Sequence, residues 1–180
     1  MGQYYKAYVE NKDGKFVLDS WDYGSGMKLM EHSWLGNDFE NAAYTLIDKR
    51  PSKVGWIGDY SQDVGCDKDL YRFVWSSDEN NRSIVLRRKY KDGYLINHTK
   101  KEYVDLEEYT DLARNKSGWV TNPLSLLTAI GNGLGGGDYH DCNQNYNLVG
   151  IWYMDELEYD GTEHPDYANI TADVIFKEDW

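Results

Sequence analysis

The first pattern along the chain is a two-residue repeat, which is typical of a β-strand with two different faces. In residues 3–9, Tyr5, Ala7 and Val9 fall on one face, while Tyr4, Lys6 and Tyr8 fall on the other. The run Asn11-Lys12-Asp13-Gly14 is a turn signal, and residues 15–18 again have the composition of a strand. The sequence therefore predicts a β-hairpin at its start.

A helical repeat follows at about residues 38–50. Apolar side chains recur there at intervals of three and four residues, so that they share one face of a helix: Phe39, Ala42, Ala43, Leu46 and Ile47. Asn37 or Asp38 is suited to cap the N-terminus, and Pro51 ends the helix because proline has no backbone N–H to donate. We expect this helix to pack on a sheet through its apolar face.

The remaining pattern predicts further strands joined by polar turns, and short helices near residues 27–34 and 105–116. The predicted strands are residues 54–57, 70–75, 84–88, 94–97 and the apolar run 124–130, followed by a terminal hairpin of residues 149–159 and 170–176. No linker or low-complexity tract divides the chain. The sequence thus predicts a single α+β domain over residues 1–180, in which one main helix packs on a twisted, mainly antiparallel sheet.

Composition indicates a stable core and excludes a membrane-spanning protein. Of the 180 residues, 7 are Trp, 16 are Tyr and 4 are Phe, so the chain can bury enough surface to offset its conformational entropy. No apolar run approaches the roughly 18 residues that span a bilayer. The first residues are too polar for a secretion signal, so we expect a cytoplasmic protein in which Cys66 and Cys142 stay reduced.

Charge is distributed unevenly along the chain. The formal net charge is −12, and residues 138–180 contain 11 acidic side chains but only one basic side chain. Residues 82–101 contain seven basic side chains and one acidic side chain. Phosphates repel an acidic protein, so we expect a protein partner with a basic groove, such as a nucleic-acid enzyme, rather than direct nucleic-acid binding. Alternatively, both segments are ordinary solvated surface.

The acids near the C-terminus are the candidate partner-binding residues. We expect five carboxylates to imitate phosphates and to dock electrostatically into that groove: Asp155, Glu156, Glu158, Asp160 and Glu163. Tyrosines and tryptophans at the rim would act as anchors. This interpretation involves no catalytic residue, no metal and no cofactor.

Five glycines occur within seven residues: Gly131, Gly133, Gly135, Gly136 and Gly137. Glycine loses more conformational entropy on folding than other residues, so this run indicates backbone that needs a positive φ or a close approach. The run formally matches the GxGxxG pattern of dinucleotide sites, but polar and acidic residues follow it instead of an apolar helical repeat. We therefore expect either a structural loop or a loop that binds a ligand or partner.

The residues beside this loop suggest a rival function. Asp138, His140 and Asp141 are potential metal ligands, and His164 lies in the next long loop. With a bound metal, these four side chains would be the catalytic residues of a metal-assisted hydrolase or nuclease. Against this, no established ligand spacing is present, and the adjacent side chains of His140 and Asp141 diverge on an extended backbone.

The basic segment has two interpretations. With tyrosines nearby, four of its side chains would lie along a phosphate backbone if the protein contacts nucleic acid directly: Arg87, Arg88, Lys89 and Lys91. Alternatively, the same side chains prevent the edge of a sheet from pairing with another molecule, which is a common use of lysine and arginine. We favour the second interpretation.

Four segments together resemble a family of short, uncharacterised proteins from bacteria and their phages: residues 1–6, 28–34, 97–103 and 131–139. The resemblance brings no activity, cofactor or catalytic residue with it. It implies an accessory protein of a mobile element, and small acidic phage proteins of this kind often inhibit host defence nucleases, as anti-CRISPR and anti-restriction proteins do. With the charge distribution, it favours a non-catalytic inhibitor of a nucleic-acid-handling defence enzyme.

Overall fold

The predicted hairpin opens the fold. In the computed structural model, which describes residues 1–164 and 166–178, strands β1 (Tyr5–Asn11) and β2 (Gly14–Asp19) pair antiparallel. Tyr5, Ala7 and Val9 enter the main hydrophobic core. Tyr8 belongs to a second, smaller cluster, because alternate residues of a strand point to opposite faces of the sheet.

One mixed sheet contains the hairpin and six further strands. These are β3 (Ser52–Gly58), β4 (Tyr94–Asn97), β5 (Glu102–Asp105), β6 (Ala129–Ile130), β7 (Glu156–Asp160) and β8 (Ala168–Asn169). The strand order is β2-β1-β3-β7-β4-β5-β8, with β6 beside β3. Among the strands of the described residues, only the short pairings of β3 with β6 and of β5 with β8 are parallel, so the sheet is mainly antiparallel, as predicted.

The helices are α1 (Leu29–His32), α2 (Asp38–Ile47), α3 (Lys68–Trp75), α4 (Leu106–Ala113) and α5 (Pro123–Thr128). The predicted main helix is α2, and the side chain of Asn37 caps it by accepting the N–H of Phe39. It ends at Ile47, earlier than expected, because the next residues bond to a strand: the N–H of Lys49 donates to the carbonyl of Tyr159 at 2.8 Å. The α+β class is confirmed.

The two faces of the sheet are covered differently. On one face, α2, α4 and α5 contribute to the main core, whose largest buried side chains include Trp56 and Trp152. On the other face, α3 covers the β1–β3 end and forms the smaller cluster with Tyr8 and Ile57. Within the described residues, no helix combines the length and apolar character needed to cross a membrane.

Two predicted strands are helices. Residues 70–75 belong to α3, because Asp67 caps its N-terminus by accepting the N–H groups of Asp69 and Leu70. Residues 124–128 belong to α5, which Asn122 caps and Pro123 begins, and only Ala129–Ile130 of that run forms a strand. α5 is largely apolar because it is completely buried, and the hydroxyls of its Ser125 and Thr128 are hydrogen-bonded within the protein.

The prediction of a strand at residues 84–88 is also wrong. This segment is extended, but its N–H groups bond to side chains instead of a neighbouring strand: that of Ile84 bonds to the Tyr23 hydroxyl, and that of Arg87 to Thr45.

The terminal hairpin of residues 149–159 and 170–176 is absent as well. Of the first predicted strand, residues 149–159, only the last four residues lie in β7. Residues 170–176 do not pair with β7, because β3 and β4 occupy its two edges. Residues 171–173 form a 3₁₀ turn.

Candidate functional site: an acidic face of the sheet

β7 presents its acidic side chains on one side only. Leu157 and Tyr159 are fully buried in the main core, so Glu156, Glu158 and Asp160 lie on the opposite face. The Cα atoms of these alternate residues are about 6.6–6.8 Å apart, since each residue advances the strand by about 3.3–3.4 Å. Hydrogen bonds to β3 and β4 hold both edges of β7 and therefore fix the backbone that carries these charges.

Tyrosines and further carboxylates on neighbouring strands extend this surface. Tyr94 of β4 pairs in register with Asp160 on one side and with Asp105 of β5 on the other. The ring of Tyr103 meets that of Tyr94 edge to face at 5.7 Å, and its hydroxyl donates to Glu163 at 2.8 Å. We call the following residues the acidic sheet face: Glu156, Glu158, Asp160, Glu163, Asp105, Tyr94 and Tyr103.

The carboxylates of this surface affect the ionisation of both tyrosines. Burial, followed by the negative charges of Asp105 and Glu163, raises the pKa of Tyr94. Burial and the hydrogen bond to Glu163 raise the pKa of Tyr103 to about 12. Both hydroxyls therefore stay protonated at neutral pH, and the surface combines acceptor carboxylates with neutral aromatic rings.

Asp155 lies apart from the other predicted partner-binding acids. It precedes β7, where its carboxylate accepts the Nδ2 of Asn97 at 2.9 Å and forms a close ion pair with Lys100. Its side chain is only 14% exposed. Asp155 therefore ties the start of β7 to the end of β4 and presents little free charge to a partner.

Glu158 also has an internal partner. Its Oε1 lies 2.8 Å from Nε2 of His98, and Nδ1 of the same ring lies 3.0 Å from the hydroxyl of Tyr167. Glu156 is exposed and pairs in register with Lys53 of β3. Glu156, Glu158, Asp160 and Glu163 thus lie on one side of the sheet, but the Glu158 side chain is only 17% exposed and, like Asp155, presents little free charge.

The glycine run encloses the buried carboxylate of Asp138. Its Oδ2 accepts the backbone N–H groups of Gly133 and Gly135 at 2.8 and 3.1 Å. The buried side chains of Gln3 and Tyr5 donate to the same carboxylate at 2.9 and 3.2 Å. Burial raises the pKa of Asp138, and the hydrogen bonds from the two glycine amides oppose that effect. The loop is therefore built around one of the protein's own acidic side chains.

Close approach explains why this loop needs glycine. A Cβ atom on Gly135 would lie 2.5 Å from Cβ and 2.7 Å from the backbone N of Gln3. Gly133 has a φ of 94°, a conformation that other residues rarely adopt. No helix follows at residues 138–145, so the context of a dinucleotide site is missing. These contacts agree with the structural interpretation of the loop.

The four residues of the rival metal site do not come together. Asp138 is enclosed as described, whereas His140 and Asp141 are exposed. His164 stacks on Tyr167 at a ring distance of 3.8 Å. Across residues 1–164 and 166–178, no group of three or more His, Cys, Asp or Glu side chains is positioned to hold a metal ion.

The basic segment, residues 82–91, is extended but lies outside the sheet and does not form one of its edges. Its Arg88 guanidinium lies 5.0 Å from the ring centres of both Tyr90 and Tyr159, so this side chain packs on aromatic rings. Arg87 makes a long ion pair of 3.9 Å with Asp48. The four candidate nucleic-acid contacts are all exposed: Arg87, Arg88, Lys89 and Lys91. Their contact with nucleic acid stays a prediction.

Sequence reasoning missed the part of the acidic sheet face that comes from β4 and β5. Tyr94, Tyr103 and Asp105 join the surface only through the pairing of β4 with β5 and β7, which connects distant parts of the chain. The alternation of acidic and apolar residues within β7 was the only local signal of this face. A single sequence contains no register between strands so far apart.

Comparison of the chain with known protein families, curated proteins and solved structures finds no related protein. No protein-family model matches the chain, and no curated protein or solved structure shows a significant match. The resemblance to phage proteins therefore stays a prediction, and the geometry described above is the basis for a functional proposal.

Proposed function

We propose that the protein is a non-catalytic binding protein that docks its acidic sheet face into the basic groove of a nucleic-acid-handling enzyme and so inhibits it. The observation that carries the proposal is the row of Glu156, Glu158 and Asp160 along one face of a strand that is bonded on both edges. A groove for nucleic acid uses lysine and arginine to neutralise regularly spaced phosphates. A row of carboxylates supplies negative charges to the same cations.

The rigidity of the surface favours such binding. The backbone that carries the carboxylates is fixed by a sheet whose other face is buried, so little backbone entropy is lost when they engage a partner. Complementary charge accelerates association and disfavours partners of the wrong sign. Tyr94 is partly exposed among these charges, and tyrosine is one of the residues that most often anchors an interface. Tyr103 is buried beside it and holds Glu163 through its hydroxyl.

The resemblance of the sequence to short phage proteins supports a narrower proposal. A phage accessory protein with this surface acts in the bacterial cytoplasm on a host defence enzyme, in the manner of anti-CRISPR or anti-restriction proteins. Such enzymes must expose a basic groove in order to bind nucleic acid, and they are therefore vulnerable to a competitor that occupies it.

The test compares charge-reversed variants in capture and cleavage assays. Immobilised wild-type protein is used to capture partners from host lysate, and the captured protein is identified and purified. Its affinity is then measured for the wild type, for the double variant Glu156→Lys/Glu158→Lys, and for the control Asp63→Lys/Asp141→Lys, which reverses two exposed acids elsewhere. Circular dichroism confirms that each variant is folded.

We expect the captured protein to be a nucleic-acid enzyme whose binding weakens steeply between about 50 and 200 mM salt. DNA should compete for the site, cleavage should be inhibited, and only the Glu156→Lys/Glu158→Lys variant should lose these effects. Unchanged affinity in this variant, or a partner that neither binds nor processes nucleic acid, would show that the proposal is wrong.

A further inference from the structure

A second site lies at the opposite edge of the same sheet, next to β1 and β2. A cavity of about 650 Å³ opens there between the hairpin, the 3₁₀ turn Ser20–Tyr23 and the C-terminal end of α3. Its walls combine two indole rings with three carboxylates and one lysine: Trp21, Trp75, Asp19, Asp22, Asp78 and Lys6. None of these residues belongs to the acidic sheet face.

The floor of the cavity already binds one organic cation, the ammonium group of Lys6. This side chain is only 3% exposed, and its Nζ donates to Asp78 at 2.8 Å and to Asn81 at 3.2 Å. The same Nζ lies 5.1 Å from the centre of the Trp75 ring and 3.7 Å from Asp19. The cavity therefore shows, within the protein itself, how its carboxylates and indoles hold a nitrogen cation.

The carboxylates exceed the charge of Lys6. Three aspartates face one ammonium, which leaves the lining with a net charge of −2 when all four groups are ionised. Asp78 uses one oxygen for Lys6, and its side chain is 86% exposed. Within the described residues, the Asp22 carboxylate makes no hydrogen bond or ion pair. The carboxylate of Asp22 and the second oxygen of Asp78 can therefore accept hydrogen bonds from a second cation at the open side of the cavity.

Trp21 supplies the aromatic surface for that cation. Its side chain is 71% exposed, although it follows directly after the capping residue Asp19 and the buried Ser20. The backbone N–H of Trp21 donates to Asp19 at 2.9 Å, so the start of the turn that carries the indole is fixed. Indole is the aromatic group that attracts cations most strongly.

We propose that this cavity binds a guanidinium group, such as that of an arginine side chain. The planar guanidinium stacks on Trp21 and shares its N–H donors between Asp22 and the free oxygen of Asp78. Guanidinium suits this site better than ammonium because it is planar, is weakly hydrated and carries five N–H donors in a fixed arrangement. Lys6 stays in place as the floor of the site.

Nuclear magnetic resonance tests the proposal directly. The chain has 7 tryptophans, and each gives one indole N–H signal that is assigned by substitution to Phe. The protein is titrated with N-acetyl-arginine amide, with free arginine and with N-acetyl-citrulline amide, which is a neutral analogue of similar shape. Trp119 is the matched control residue, because it is 52% exposed but lies outside this cavity.

We expect N-acetyl-arginine amide to shift the Trp21 and Trp75 signals saturably without shifting that of Trp119. The citrulline compound should not bind. Trp21→Ala should weaken binding at least about threefold, and Asp22→Asn about tenfold, since a charge-assisted hydrogen bond is lost. Trp119→Ala should bind as the wild type does. All three exposed substitutions leave the buried core intact.

The two arginine probes distinguish the source of the guanidinium. Tighter binding of the acetylated amide assigns the site to arginine within a polypeptide, whereas tighter binding of free arginine assigns it to the free amino acid. The inference is overturned if no saturable shift occurs, if citrulline amide binds as well as the arginine compounds, or if Trp119→Ala loses as much affinity as Trp21→Ala.

Discussion

The buried carboxylate of Asp138 provides the sharpest stability prediction. Four donors converge on it, and two of them, Gln3 and Tyr5, belong to fully buried side chains. In Asp138→Ala the Tyr5 hydroxyl loses its acceptor in a place that water does not reach, whereas the amide of Gln3 keeps the carbonyl of Gly131 and the Tyr5 oxygen as acceptors. The amides of Gly133 and Gly135 lie at a more accessible surface, where water replaces the lost acceptor at lower cost.

The magnitude follows from these partners. A hydrogen bond to a charged group contributes about 1.5–3 kcal/mol, and a buried donor left unpaired costs about 1–3 kcal/mol. Since only the Tyr5 hydroxyl is left enclosed without an acceptor, we expect Asp138→Ala to lower the free energy of unfolding by roughly 2–4 kcal/mol. In a chain of this length, the melting temperature should fall by roughly 4–16 °C. Asp138→Asn keeps an acceptor oxygen and should cost about 1–2 kcal/mol.

Urea unfolding at neutral pH, followed by tryptophan fluorescence, measures both effects. The control is Asp141→Ala, which removes an exposed acid three residues away and should change stability by less than about 0.5 kcal/mol. The slope of the free energy against urea should stay the same in all variants, because the surface exposed on unfolding does not change. If Asp138→Ala were within about 1 kcal/mol of Asp141→Ala, the idea that the loop is built around this carboxylate would be refuted.

Two further predictions concern strain and pH. Gly135→Ala should destabilise the protein by about 1–3 kcal/mol, because its methyl group meets the backbone of Gln3. Gly136→Ala is the control, since its methyl group has no neighbour closer than 3.6 Å, and its stability in the same urea assay should be near that of the wild type. Equal stability of the two variants would contradict the close approach. Burial raises the pKa of Glu40 well above its ordinary value of 4.5, so the native state keeps a proton that the unfolded chain releases. Wild-type stability should therefore fall as pH rises above 4.5, by up to about 1.4 kcal/mol per pH unit, until the raised pKa is passed. Glu40→Gln cannot ionise at this position, so its stability should not show this fall when urea unfolding is measured at several pH values. If the stability of the variant and that of the wild type changed with pH in parallel, the assignment to Glu40 would be contradicted.

Local signals predicted the hairpin and α2 correctly. The turn at Asn11–Gly14 and the helical spacing around Ala42 depend on residues that are close together in the sequence, and both are present in the structure. α5 was missed although its start signal is present, since Asn122 followed by Pro123 is a typical beginning of a helix. A fully buried helix is apolar all round, so its periodicity cannot be distinguished from that of a buried strand.

Other errors came from contacts between distant parts of the chain. Residues 70–75 have the aromatic and branched side chains of a strand, but tertiary packing of α3 on the second face of the sheet decides in favour of a helix. In the candidate site, alternation along β7 could be recognised from the sequence. The position of Tyr94 between Asp105 and Asp160 could not, because it depends on the register of three separate strands.

The contact between Gln3 and Asp138 has a consequence for synthesis on the ribosome. Gln3 lies just before the first strand, yet its amide nitrogen bonds to the carbonyl of Gly131 and to Asp138, 128 and 135 positions later. The hairpin is translated long before these residues, and during that interval the amide of Gln3 has only the Tyr5 hydroxyl and water as partners. The glycine loop can therefore close over the residues before β1 only after Asp138 has been translated.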